Sequence, residues 1–341
     1  VWLKPFTADR TTGRVREPME QLFSALKAME GQKIAGQISR LGLEPYVREL
    51  EEKGLTVVPP EVTGMSPERC DRMVGLLLAR AEASTGCGFS LAAGPAEELR
   101  FPKGFVDPLW LASASSAPKG KPPPPSQLQL QQLAQQDRAF RDMAVHPVAV
   151  ALVQQLMGSQ VCLSSTNCFI KWRGEGYGQN LGMHVDQATP APFGPCLNCN
   201  ANWCLTDYTK EGGAFAYVPG SHKLQKYPSL PEAVEKAVAV EVPRGSLIFF
   251  HGQTWHGAFP RLTDGLRVTV SMYYRHKVIV PQEDLPNIFP PELIEDCDDP
   301  KMLQRLVAIK QRPYRKQIMP MPRVAKRKGA GAEGGAPAAR L

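Results

Sequence analysis

His184-Val185-Asp186 is the first place in this 341-residue chain where side-chain types and spacing suggest chemistry. In an extended segment residues i and i+2 project to the same face, so an imidazole and a carboxylate converge there. Such a pair can hold two adjacent positions on a metal ion, with a third ligand arriving from elsewhere. The remaining histidines are few: His146, His222, His251, His256 and His276. An HxD alone is also what a solvated surface pair looks like, so it needs support from a second element.

That support lies at Gly245-Ser246-Leu247-Ile248-Phe249-Phe250-His251-Gly252, followed by Trp255-His256-Gly257. An apolar strand here ends in a Gly-rich turn carrying two histidines, which fits the mouth of a barrel. Arg267 follows eleven residues after His256. Two histidines and one carboxylate leave up to three open positions on an octahedral iron, an arrangement associated with non-haem Fe(II) oxygenases. An arginine deep in such a cavity is costly unless it meets an acid, and its fork suits the far carboxylate of 2-oxoglutarate.

The elements that must position these groups change character along the chain. Ser66-Pro67 reads as a helix start, with an N-cap and Pro in the first turn, and Met73, Leu76, Leu77 and Ala81 on the buried side. His146-Pro147 opens another helix, reaching Met157 and ended by Gly158. Between them, residues 112–136 hold four consecutive prolines and a Gln-rich run, and are predicted to form an exposed insertion. After Gly158 the pattern is β: Val161–Trp172, Ala201–Tyr208, Ala214–Val218, Ser246–His251 and Leu266–Tyr274 read as strands. In the last, Leu266, Val268, Val270 and Met272 face one way, and Arg267, Thr269, Ser271 and Tyr273 the other. Such a polar face is either simply solvated or, in a double-sheet barrel, the lining of a wet internal cavity. The expected architecture is mainly β with a helical flank (α+β), a double-stranded β-helix or jelly roll.

Composition narrows the classes. With 43% hydrophobic residues the chain is not wholly disordered, and no run approaches the ~18 apolar residues of a membrane span. The net charge of +7 is uneven: residues 301–341 carry eleven Lys or Arg against the single acid Glu333, leaving the body slightly acidic. A nucleic-acid partner is therefore not expected, and the basic end reads as a helix followed by a solvated tail. Cys196, Cys199 and Cys204 form a CxxC with a third cysteine nearby but no free fourth ligand, so ordinary reduced thiols are expected rather than zinc. No secretory leader is visible from Val1 onward.

Taken in order, four features resemble the phytanoyl-CoA dioxygenase family of Fe(II)- and 2-oxoglutarate-dependent oxygenases. They are His184-Val185-Asp186; Asn202-Trp203-Cys204-Leu205-Thr206-Asp207; Gly212-Gly213-Ala214-Phe215-Ala216-Tyr217-Val218-Pro219-Gly220-Ser221-His222-Lys223; and Gly245–Phe250 with His256 and Arg267. The GG…VPGSHK stretch and the His-to-Arg spacing are the specific parts, and the likeness spans about residues 44–276.

The resemblance implies His184, Asp186 and His256 as iron ligands, Arg267 as the 2-oxoglutarate anchor, Trp203 beside the co-substrate and Lys171 as a further co-substrate contact. It makes His222 structural and sets His251 behind the ligands. Family members often carry a hydroxyl residue where Ala258 stands and an Asn where Arg261 stands. The intact Asp186 argues against a halogenase, which needs a small residue there.

The expected activity is hydroxylation of an aliphatic C–H of a small-molecule or acyl substrate, using Fe(II), 2-oxoglutarate and O2. The competing expectation is a non-catalytic jelly-roll scaffold binding partners through its Pro-rich loop or basic tail. Expected boundaries are an extension over residues 1–43, the oxygenase domain over 44–300 and the basic end over 301–341. The expected location is cytoplasmic, with a peroxisomal alternative because Ala339-Arg340-Leu341 resembles the carboxyl-terminal import tripeptide.

Overall fold

The computed structural model describes residues 16–99, 125–187 and 196–307. The 308–341 stretch with the Ala339-Arg340-Leu341 tripeptide lies outside them, as do the first three prolines of the run, residues 122–124. The strands among the described residues are β1 (Leu55–Val58), β2 (Phe89–Ser90), β3 (Gly94–Pro95), β4 (Gln127–Leu130), β5 (Val161–Lys171), β6 (Asn198–Cys204), β7 (Phe215–Tyr217), β8 (Val238–Val240), β9 (Leu247–His251), β10 (His256–Ala258) and β11 (Arg267–His276). Six form one sheet in the order β1-β9-β6-β11-β5-β4, and three form a second in the order β10-β7-β8. Every pairing is antiparallel. The fold is thus mixed α and β with antiparallel sheets.

The period-2 alternation of the long strands decides where the core sits. Ile170, Trp203, Phe249, Val268, Val270 and Met272 join one apolar core with Met73, Leu77, Phe140, Leu152, Leu303 and Leu306 from the helices. Each full burial of such a side chain contributes on the order of 1.5–3 kcal/mol, so this face anchors the sheet. The opposite face is divided. Leu55, Ile248 and Phe250 pack against Phe215, Tyr217 and Val240 of the small sheet, while β6, β11, β5 and β4 turn polar residues into a cavity.

The helices begin and end where the caps indicate. Pro67–Thr85 starts at Ser66, whose hydroxyl accepts the Arg69 N–H at 3.3 Å, and ends at Gly86 in the left-handed region. Pro147–Met157 lies almost wholly buried under the large sheet. No described helix is long and apolar enough to cross a membrane.

Two expectations change. The second half of the supposed insertion is part of the fold: Gln127–Leu130 is the edge strand β4 on β5, and Leu133 and Ala134 of the next helix are fully buried. Alternating Gln and Leu put leucines in the core and glutamines toward the cavity, so a composition that looked solvated is a strand with two faces. Nor does the amino-terminal extension stand apart from the body. Arg16–Arg40 is one helix, tied to the body by buried Ile38 and by Glu30, whose carboxylate accepts the Ser159 N–H at 2.6 Å. Within the basic end, Pro300–Val307 is a helix with Leu303, Leu306 and Val307 buried.

Candidate metal centre

The HxD segment does not lie in a long strand. A two-way backbone bridge joins His184 to His256, the N–H of each donating to the carbonyl of the other at 2.9 and 3.0 Å. That bridge sets the two imidazoles side by side, ring centres 4.2 Å apart. Two residues on, the Asp186 and Gln187 N–H groups both donate to the Gly252 carbonyl, at 3.0 and 2.9 Å. A side chain at Gly252 would have its Cβ 1.5 Å from Asn198 Oδ1, and one at Gly257 would lie 2.1 Å from the Leu181 carbonyl. The glycines beside His251 and His256 are therefore required by close approach.

One ligand atom from each of His184, Asp186 and His256 lies within 4.8 Å of the other two, a triangle that one ion can fill. Among the described residues it is the one such cluster of metal-ligating side chains. Each histidine is already oriented. Nδ1 of His184 lies 2.7 Å from the Gly182 carbonyl, and Nδ1 of His256 lies 2.9 Å from the Thr254 carbonyl. A carbonyl only accepts, so both Nδ1 atoms carry the proton and both Nε2 atoms present lone pairs to Asp186. Burial between Phe215 and Phe250 pushes the His256 pKa down to about 4, keeping it neutral and able to ligate. Burial also works against ionised Asp186, but the neighbouring imidazoles, when they carry a second proton on Nε2 in place of a metal, outweigh it and hold its carboxyl below the ordinary value.

Arg267 opens β11 and faces the same cavity, of about 380 Å³. It is 6% exposed. One terminal nitrogen donates to the Gly213 carbonyl at 2.7 Å, its guanidinium lies 4.9 Å from the Tyr208 ring centre, and Nε has no partner. A buried guanidinium with an unused donor and no carboxylate on it among the described residues can take an anion as its partner.

Of the six residues singled out from sequence, the structure brings His184, Asp186, His256 and Arg267 to one cavity wall and leaves two elsewhere. Trp203 points to the other face of β6, fully buried beneath the helices with its ring 4.9 Å from His146. Its neighbour Asn202 faces the cavity in its place. Lys171 is paired with Arg267 in register, but its ammonium donates to the Phe259 carbonyl at 2.5 Å. Burial, with Arg267 and Arg261 nearby, drives its pKa well below the lysine range. His251 accepts the Gln253 N–H on Nδ1 and lies 5.5 Å from the His222 ring, so the pair keeps its own company. The eight cysteines are all free and buried. Sequence reasoning missed Asn200, whose amide donates to Asp186 Oδ2 at 2.5 Å, and Tyr208, whose hydroxyl meets Thr269 beside Arg267.

The family model described as phytanoyl-CoA dioxygenase matches residues 119–269. Dioxygenase af480 of Aspergillus fumigatus is 31% identical over 212 residues, covering 59% of this chain and 67% of that protein. The chain belongs to the phytanoyl-CoA dioxygenase family. A likeness of fold extends to the crystal structure of HygX from Streptomyces hygroscopicus with nickel and 2-oxoglutarate bound. The TM-score is 0.50 at 15% identity, over 70% of this chain and 89% of that one.

Two departures from the phytanoyl-CoA dioxygenase pattern have structural accounts. Ala258, where a hydroxyl residue is common, lines the cavity. Arg261, where an Asn is common, spends its guanidinium on the Gly265, Gly212 and Asp264 carbonyls. It therefore ties the loop before β11 to the Gly212-Gly213 turn that carries Arg267's acceptor.

Proposed function

We propose that the chain is an Fe(II)- and 2-oxoglutarate-dependent dioxygenase that hydroxylates an aliphatic C–H of a small molecule, with a double-stranded β-helix spanning residues 44–300 as its catalytic body. The observation that carries this reading is a metal-sized triangle of imidazole, imidazole and carboxylate sharing one cavity with a buried arginine that has an unused donor. His184, Asp186 and His256 would hold the iron, and Arg267 the far carboxylate of 2-oxoglutarate. Bound there, iron and 2-oxoglutarate supply the oxidising power to convert C–H to C–OH with O2, releasing succinate and CO2.

The protein's own part is placement and exclusion. The Gly182 and Thr254 carbonyls fix the tautomers of the two histidines, and Phe215 and Phe250 wall His256 from water. The Tyr208 ring and the Gly213 carbonyl hold Arg267 in place. Farther along the wall, Gln127, Gln129, Asn167, Tyr273 and Gln282 offer neutral donors and acceptors. The amide nitrogen of Gln127, itself 4% exposed, has no partner. Such a wall favours a neutral hydrogen-bonding substrate over a bare acyl chain, because an alkyl group would leave those amides unpaired.

The test is Fe(II)-dependent succinate release from 2-oxoglutarate, screened against neutral polar metabolites and fatty acyl-CoAs. Release stimulated by polar metabolites is expected. Protein that binds Fe(II) and 2-oxoglutarate yet releases no succinate across the panel would favour the scaffold reading, and stimulation by acyl-CoA alone would overturn the substrate class.

A further inference from the structure

Strand β6 reads Asn198-Cys199-Asn200-Ala201-Asn202-Trp203-Cys204, three asparagines on one face of a central strand. Asparagine is depleted from strands, and burying its amide costs stability unless it is hydrogen-bonded. All three are at most 9% exposed, so each needs a reason. Two of them converge on Asp186. Asn198 Nδ2 donates to the Asp186 backbone carbonyl at 3.2 Å, and Asn200 Nδ2 donates to the carboxylate Oδ2 at 2.5 Å. Asn200 is itself oriented from behind, since its Oδ1 accepts the Ser271 hydroxyl at 3.1 Å from β11. The Asp186 N–H meanwhile donates to Gly252, whose own N–H donates to the Asn198 carbonyl.

Every polar group of Asp186 other than Oδ1 is therefore engaged. The backbone is held from both sides, Oδ2 accepts the Asn200 amide and lies 3.6 Å from His256 Nε2, and Oδ1 turns to His184 Nε2 at 3.5 Å. A free aspartate can rotate about its last bond and bind an ion through one oxygen or two. With Oδ2 tied to Asn200, that rotation is closed off.

The geometry points to Asn200, backed by Ser271, as the positioning residue that fixes the Asp186 carboxylate for one-oxygen coordination of the metal. The inference rests on the reading of His184, Asp186 and His256 as the metal site. Partners of this kind are worth roughly 10–100-fold in metal affinity in other metal sites.

The experiment titrates Co(II) into the metal-free full-length chain, followed by visible absorption, with melting of the metal-free protein in parallel. Asn200→Leu should weaken Co(II) binding by roughly 10–100-fold and alter the absorption of what binds, since the freed carboxylate can turn. Ser271→Ala should give a smaller loss of the same kind. Cys199→Ala, on the opposite face of the same strand and outside the cavity, should leave Co(II) affinity unchanged. Should Asn200→Leu fail to fold, Asn200→Ala removes the donor without adding bulk and carries the same expectation. Wild-type affinity and spectrum in the folded Asn200 variant would overturn the proposal, provided His184→Ala abolishes Co(II) binding. If His184→Ala also binds normally, it is the metal site itself that falls.

Discussion

Along β11, Arg267, Thr269, Ser271 and Tyr273 line the cavity, while Val268, Val270, Met272 and Tyr274 pack beneath the helices. Both sets are buried, so burial alone does not distinguish them. What differs is the kind of hydrogen-bonding capacity that the fold leaves unspent. On the helix side the Tyr274 hydroxyl donates to the Ala144 carbonyl at 2.8 Å, and the unpartnered atoms are two ring nitrogens, Trp203 Nε1 and His146 Nδ1. On the cavity side Arg267 Nε has no partner, nor has Asn202 Oδ1 on β6 or Gln127 Nε2 on β4. Unpaired buried polar atoms cost stability, so a wall of them marks where the fold gives up packing for binding.

The largest effect is expected at the proposed metal ligands. His256→Ala should abolish stoichiometric Fe(II) binding, measured by metal analysis after desalting. The fold should survive, because its apolar anchor lies on the other face. His251→Ala should retain the iron, since His251 faces His222. Loss of iron in His251→Ala with retention in His256→Ala would move the third ligand.

The reverse pattern is expected from the helix side. Phe249 is fully buried on that face of β9. Phe249→Ala removes a ring from a close-packed core and should cost about 3–5 kcal/mol, lowering the melting temperature by on the order of 10 °C. Fe(II) affinity at low temperature, where the variant is folded, should match wild type. A matching fall in metal affinity would show that the two faces are energetically coupled.

Arg267 gives an intermediate effect confined to one ligand. Arg267→Leu leaves a co-substrate carboxylate without its partner in a confined site, a penalty of about 2–5 kcal/mol. The 2-oxoglutarate requirement should rise at least about tenfold, read as Kd by fluorescence or as KM from succinate release. Unchanged 2-oxoglutarate affinity would sink Arg267 as the anchor.

How legible this division was depends on the range of each interaction. The two faces of β11 follow from alternation alone, and HxD is local, so both could be read. Trp203 was placed on the wrong face although the needed signal was present. Asn198, Asn200 and Asn202 alternate with Cys199, Ala201 and Trp203, and a strand that puts asparagines toward the cavity must put Trp203 away from it. Gln127-Leu128-Gln129-Leu130 carried the same period-2 pattern, hidden by the glutamine- and proline-rich composition around it. The fate of Lys171 could not have been read, because its acceptor, the Phe259 carbonyl, lies 88 residues on. The Asn200 contact to Asp186 likewise depends on β6 running beside a segment to which no local pattern ties it.

The smallest expected effect falls on the helix side and depends on pH. His146 sits where Pro147–Met157 begins, edge-on to Trp203, and its Nδ1 has no partner. Burial pushes its pKa down to about 4 from the ordinary 6.5. The folded state thus prefers neutral imidazole, while the unfolded chain takes up a proton below pH 6.5. Stability should be full above that value, fall as pH drops toward 4, and lose nothing more from this group below it. At pH 5 the loss attributable to His146 is about 2 kcal/mol at most, and His251 and His256, both also depressed to about 4, act in the same direction. His146→Leu keeps an apolar contact for Trp203 and removes the titration, so its melting temperature should fall less than wild type's between pH 7.5 and 5. Measuring both proteins without metal, across that range, separates this from the ligands' own protonation. Identical pH profiles would mean that His146 takes up its proton in the folded state as readily as in the unfolded one, and that the helix side contributes nothing to the acid sensitivity of the fold.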